Sequence, residues 1–293
     1  MAVLEKKKSD LKIRCLSGAV IILLTLALIY AGRQAFTGFV VVLGAMSTFE
    51  WARMLIEKPK SGIYEFSAIL GALVLAATIY MNSMTTAPMI ILFGAMFLGI
   101  FMHFRSFDVS FGKVLGGFFY ILFSLSYVGL LMMYAGKDVP GPIGSPVFVP
   151  FDQDALKILV AFLFVTVWAS DSIAYVFGRL IGGPKLAPKI SPKKTWAGML
   201  GSMTGAAAAL YLGGYIIEQQ FGIKIAETLD LVLFGAFLGV VGQVGDLAIS
   251  VFKRAHNVKD TGNVIPGHGG VLDRIDALLL IAPFYVYAVM AVV

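Results

Sequence analysis

Nine apolar segments follow one another along almost the whole chain, at roughly 15–32, 36–55, 64–82, 87–104, 115–135, 156–180, 197–217, 229–252 and 271–292. About 20 apolar residues cross a bilayer as a helix. A helix also satisfies its own backbone hydrogen bonds, which lipid cannot do. The pattern predicts an all-α integral membrane protein of about nine transmembrane helices. An outer-membrane barrel would instead show alternating strands of about ten residues. Composition agrees, because 59% of residues are hydrophobic and only 14% are charged, against about 25% charged in a soluble domain. A soluble globular enzyme, a disordered chain and a secreted disulfide scaffold are thereby excluded. The single cysteine, Cys15, leaves no intrachain disulfide and no cysteine zinc cage.

The first span follows Lys6, Lys7, Lys8, Lys12 and Arg14. A basic start before an apolar run fits a signal peptide as well as a retained helix. The length of the run and the eight spans behind it favour a retained helix. With the N-terminus in the cytoplasm, only Arg33, Lys137, Lys157 and Lys224 of the 23 lysines and arginines fall on the far side. That asymmetry follows the positive-inside rule and requires an odd number of spans, with the C-terminus opposite. Residues 1–150 then hold five spans and an outer loop, which extends over 136–155. Residues 151–293 hold four spans and nearly all the unusual polar residues. No internal repeat suggests an inverted-repeat transporter.

Ionisable residues within a span are costly and mark function. Five acids qualify: Glu50, Asp171, Asp246, Asp273 and Asp276, all toward the lysine-rich ends of their spans. Glu50, in Phe49-Glu50-Trp51, reads equally as a helix-end carboxylate paired with a nearby base or as a site residue. Asp171, Tyr175 and Gly178 share one helix face, as do Asp246, Ser250 and Lys253. Asp273 and Asp276, three apart, project together.

Between Gly178 and Gly183 a phosphate loop is superficially suggested, but Pro184 stands where its lysine would be. Lys193-Lys194-Thr195 directly precedes a helix, and ammonium groups, a hydroxyl and a helix N-terminus suit a phosphate. Carboxylates gathered beside lysines need a cation between them, and hard oxygen ligands favour Mg²⁺. A salt-bridged helix junction is the plainer alternative. His268 lies in a glycine turn, with only His103 and His256 elsewhere and no HExxH pattern, so zinc is not expected.

The run Ser250 to Asp276 resembles the signature of the phosphatidate cytidylyltransferase (CDP-diacylglycerol synthase) family. The matching positions are Ser250, Lys253, Arg254, Lys259, Asp260, Pro266, His268, Gly269, Gly270, Asp273, Arg274 and Asp276. Gly245-Asp246-Leu247 and Ser191-Pro192-Lys193-Lys194-Thr195 are also similar to the family. Ala197 departs from it, since many relatives carry glutamate there.

The resemblance implies transfer of CMP from CTP to phosphatidate with Mg²⁺, releasing pyrophosphate, and the compact chain points to a bacterial inner membrane. It implies Asp246, Asp273 and Asp276 as metal ligands, and Lys253 and Arg254 beside them as catalytic cations, Arg254 holding pyrophosphate. It implies substrate binding by Lys193, Lys194, Thr195, Asp171, Ser250, Lys259, Asp260, His268 and Arg274. Membrane lipid and a second copy of the chain are expected partners, and nucleic acid is not. A CTP-dependent polyprenol-type lipid kinase and a cation-coupled organic-anion transporter are the alternatives.

Overall fold

Every apolar segment is helical in the computed structural model, which describes residues 2–56, 62–81, 86–104, 110–134, 138–140, 146–148 and 151–292. The helices are α1 (Ala2–Tyr30), α2 (Arg33–Leu55), α3 (Ile63–Tyr80), α4 (Ala87–Phe104), α5 (Phe111–Leu131), α6 (Gln153–Leu180), α7 (Trp196–Phe221), α8 (Thr228–Ala255) and α9 (Leu272–Val292). Among the described residues, α2, α3 and α5 to α9 are long and apolar enough to cross a membrane. The apolar stretches Leu16–Tyr30 of α1 and Ala87–His103 of α4 are shorter. Lys58, Lys60, Arg105 and Lys137 lie outside the described residues. Of the outer loop, β1 (Asp138–Pro140) and β2 (Pro146–Phe148) form an antiparallel pair.

One element differs from a plain loop. Between α6 and α7 the chain folds back as β3 (Lys185–Ala187) and β4 (Ser191–Thr195), antiparallel and bulged. The short polar run gives no alternating apolar face, so its pairing left no pattern in the sequence.

Helices α6, α7 and α8 pack backbone to backbone. A Cβ on Gly201 would stand 2.6 Å from the Ile173 carbonyl oxygen, and one on Gly205 would stand 2.5 Å from that of Ala169. On α8, Gly239 and Gly235 meet α7 backbone equally closely, at Met203 and Ala207. Lipid is as apolar as leucine, so helices in a membrane associate through such close contacts and through buried polar groups. Here the polar group is a short chain. Ser170 donates to Ser202 Oγ at 2.6 Å, and Ser202 donates to the Gly239 carbonyl at 2.9 Å. Gln243 Nε2 approaches the same Ser202 oxygen at 3.4 Å.

Ser170 precedes Asp171, and Gln243 lies one turn before Asp246, so this lock fixes two acids relative to each other. Helix α9 packs on α8 and α6 and also on α5 and α2 from the first half of the chain. Its Tyr285 hydroxyl donates to the Leu159 carbonyl at 2.9 Å, tying it to α6.

Candidate active site

The polar residues of the second half converge on two adjoining cavities at one end of the α6–α9 bundle. The inner cavity, about 460 Å³, is lined by Asp171, Tyr175, Gly178 and Arg179 of α6 and by Lys193, Lys194 and Thr195 of β4. Gln243, Asp246 and Lys253 of α8, Asp260, and Asp273, Arg274 and Asp276 of α9 complete it. The outer cavity, about 630 Å³, shares Lys193, Asp260 and Arg274 and adds Lys259 and the Ile265–Gly269 turn with His268. Both volumes lie within the range of roughly 300–1,000 Å³ common for small-molecule sites.

Some of these groups are committed to each other. Lys194 Nζ pairs with Asp246 Oδ2 at 2.7 Å and donates to the Gln243 carbonyl at 3.3 Å. Ser250 donates to the other Asp246 oxygen at 3.1 Å, which is the use the structure makes of the shared helix face. Lys253, only 8% exposed, pairs with Asp273 Oδ1 at 2.7 Å. Asp273, 5% exposed, also receives on Oδ2 the backbone N–H groups of Thr261 (2.8 Å) and Gly270 (3.0 Å). Its carboxylate therefore ties Lys253 of α8 and the 261–270 loop to the start of α9. At Gly269, φ of +89° and a would-be Cβ only 2.8 Å from Asp273 Oδ2 both require glycine.

Others are uncommitted. Asp171 has no hydrogen-bond or ion-pair partner among the described residues and is exposed to the cavity. Asp276 accepts only the Ala277 N–H, at 2.9 Å. Lys193, Lys259 and Arg274 are exposed on the cavity walls, with no hydrogen-bond or ion-pair partner among the described residues.

Not every residue named from the sequence is free to meet a ligand in the cavities. Arg254 is exposed and donates to the Val258 carbonyl at 2.9 Å, away from both. Thr195 is 4% exposed, and its hydroxyl accepts the Gly198 N–H at 3.1 Å, capping α7. Ala197 is buried. His268 Nδ1 lies 2.7 Å from Ser17 Oγ on α1.

Glu50 is the residue whose surroundings the sequence hid. Among the described residues no base pairs with it. Its carboxylate accepts from Thr261 Oγ1 (2.7 Å), Val271 N (2.8 Å) and Leu272 N (2.9 Å). The only sequence signal was an acid within an apolar run, and the partners lie more than 200 positions away.

The chemistry of the inner cavity is that of hard oxygen donors: aspartates, with no histidine or cysteine. Such a set fits a hard divalent cation. Among the described residues no three His, Cys, Asp or Glu side chains already converge on one metal position. A cation there would be completed by oxygens from outside the protein, as phosphate-bridging cations are.

The model of a family described as the cytidylyltransferase family matches residues 12–292, nearly the whole chain. The chain belongs to the cytidylyltransferase family. Relatives within reach of it carry the name phosphatidate cytidylyltransferase. One from Brucella abortus (strain 2308) is 32% identical over 275 residues, 94% of this chain and 91% of the relative. One from Rickettsia typhi is 35% identical over 184 residues, 57% of this chain and 79% of the relative. One from Rickettsia felis is 37% identical over 182 residues, 56% of this chain and 78% of the relative. Membership accounts for a cavity that combines loose cations with loose carboxylates, since a cytidylyltransferase must hold a triphosphate.

Proposed function

We propose that this cytidylyltransferase transfers CMP from CTP to phosphatidate, giving CDP-diacylglycerol and pyrophosphate. The observation that carries the reading is the pairing of uncommitted cations (Lys193, Lys259, Arg274) with uncommitted acids (Asp171, Asp276) at one end of an apolar helical bundle. A soluble nucleotide and a lipid headgroup can meet only at such an edge. The relatives' name supplies phosphatidate as the acceptor.

Chemically, an anionic phosphate oxygen of the lipid forms a bond to the α-phosphorus of CTP. The bond from that phosphorus to the oxygen bridging to the β-phosphorus breaks, and pyrophosphate leaves with the electron pair. The nucleophile is already ionised, so no strong general base is required. Both reactants are polyanions, so catalysis is positioning and charge compensation. Lys193, Lys259 and Arg274 bind the phosphates from the cavity mouth. Lys253, held by Asp273, keeps fixed positive charge along the inner wall, and Lys194 exchanges Asp246 for a phosphate.

Asp246 and Asp276 are the ligands we assign to a divalent cation, Mg²⁺ by the hardness of the donors, with Asp171 flanking. Bound there, it would neutralise charge on the phosphate oxygens. Asp273 completes the acids named from the sequence, and its three donors make it the holder of Lys253 and the loop.

The lysine-rich flanks support a cytoplasmic location for this edge, and the bacterial relatives support a bacterial inner membrane. The family resemblance makes a homodimer the working oligomer. Purified protein given phosphatidate and CTP labelled at the α- or γ-phosphorus tests the reaction. The α label is expected in lipid, with the γ label released in pyrophosphate one for one. A γ label in lipid would mean a lipid kinase instead, and no incorporation of either label would sink the reading.

A further inference from the structure

We propose that Glu50, on a helix of the first half of the chain, is a positioning residue that sets the N-terminus of α9 and thereby orients Asp273, Arg274 and Asp276. The inference rests on the reading that the start of α9 carries reacting groups.

A carboxylate 2% exposed costs several kcal/mol unless paired or bonded. No lysine, arginine or histidine pairs with Glu50 among the described residues. Three donors meet it instead, all from the segment 261–272. Two of them, the Val271 and Leu272 N–H groups, are the orphan donors at the start of α9, where a negative charge is favoured by the helix dipole. Thr261 Oγ1 lies 2.7 Å from Glu50 Oε2 and 3.1 Å from Asp273 Oδ2. A hydroxyl has one proton to donate. Asp273 already receives the Thr261 N–H, so the hydroxyl proton goes to the nearer Glu50.

The loop is shaped around this carboxylate. A Cβ on Gly262 would stand 2.7 Å from Glu50 Oε1, and one on Gly270 would collide with Oε2. The adjacent residue contacts α8 just before the chain leaves it for that loop. Trp51 packs edge-on against Phe252 of α8, with ring centroids 5.0 Å apart, and its indole N–H donates to the Lys113 carbonyl at 3.2 Å. Glu50 and Trp51 thus bracket the loop between Phe252 and Leu272 at both ends. A carboxylate that merely filled space would not need three directed donors, two of them at one helix start.

Three side chains of similar size differ in the acceptors they offer: glutamate at both oxygens, glutamine at one, leucine at none. Glu50→Gln and Glu50→Leu are made in the full-length protein and purified in detergent. We expect kcat to fall about tenfold in Glu50→Gln and about 100-fold in Glu50→Leu, the scale of a 1 Å misplacement at a reacting centre. KM for CTP is expected to rise by a smaller factor than kcat falls, because Arg274 shifts with the start of α9 while Lys193 lies on β4 and is untouched.

Hydrogen exchange at the Val271 and Leu272 amides should speed up in the same order, with exchange in α7 unchanged. Unaltered kcat in Glu50→Leu, or unaltered exchange at 271–272 in both variants, would overturn the proposal. If Glu50→Leu does not fold, Glu50→Gln decides it alone. If the wild-type protein forms no CDP-lipid, the functional reading fails while the exchange pattern still tests the anchor.

Discussion

Lys194 Nζ and Asp246 Oδ2 stand 2.7 Å apart, joining the strand before α7 to the middle of α8 across the inner cavity. A cation and a carboxylate expected to serve different ligands are thus each other's partners in the free protein. Binding of a nucleotide phosphate by Lys194 must be an exchange of partners rather than the filling of an open position.

That exchange separates two adjacent lysines. Lys193→Ala removes a cation with no protein partner, so KM for CTP should rise about tenfold or more with Tm unchanged, the worth of one charge-assisted hydrogen bond. Lys194→Ala strands Asp246 and should lower both kcat and Tm. Kinetics and thermal unfolding on the two purified variants make the comparison, and equal behaviour would contradict it.

Asp246→Asn and Asp276→Asn should each reduce turnover by about 100-fold or more, as loss of a main charge-stabilising group does, while gel filtration shows a folded protein. Chelation of divalent ions should abolish activity in the wild type, and added Mg²⁺ should restore it. Normal turnover of either variant at limiting Mg²⁺ would remove that aspartate from the cation site.

Gly205→Leu should be among the most damaging single changes in the bundle. Its new side chain meets the Ala169 backbone, which cannot move aside. A loss of about 1–3 kcal/mol is expected for overpacking, read as a lower Tm in detergent. A variant as stable as the wild type would show that α6 and α7 are not held this closely.

A cysteine at Lys259, in a Cys15→Ser background, should react with membrane-impermeant thiol reagents from the cytoplasmic side only. CTP should protect it, since Lys259 lines the outer cavity. Labelling from the opposite face would overturn the orientation argued from lysine and arginine placement.

The helices were legible because an apolar run of membrane length has one low-energy conformation in lipid. Asp171, Asp246 and Asp276 were legible because an acid within such a run needs a reason. What the sequence could not say is how the backbone uses a polar side chain. Thr195, in a phosphate-like motif, spends its hydroxyl on an N-cap. Arg254, inside the family signature, turns to a neighbouring carbonyl. Glu50 pairs with a loop from the other end of the chain, and no local pattern records a partner so distant.

The two cavities carry different charge. Lining the inner one, Asp171, Asp246, Asp260, Asp273 and Asp276 balance Arg179, Lys193, Lys194, Lys253 and Arg274 one for one in formal charge. In the outer one, Lys193, Lys259 and Arg274 face Asp260 alone. On the proposed reaction, the field that draws a polyanion from solution is strongest in the outer cavity. That reading has the triphosphate held by its tail, at Lys193, Lys259 and Arg274. On the same reading the cleaved tail is already at the exit and leaves without passing the lipid product.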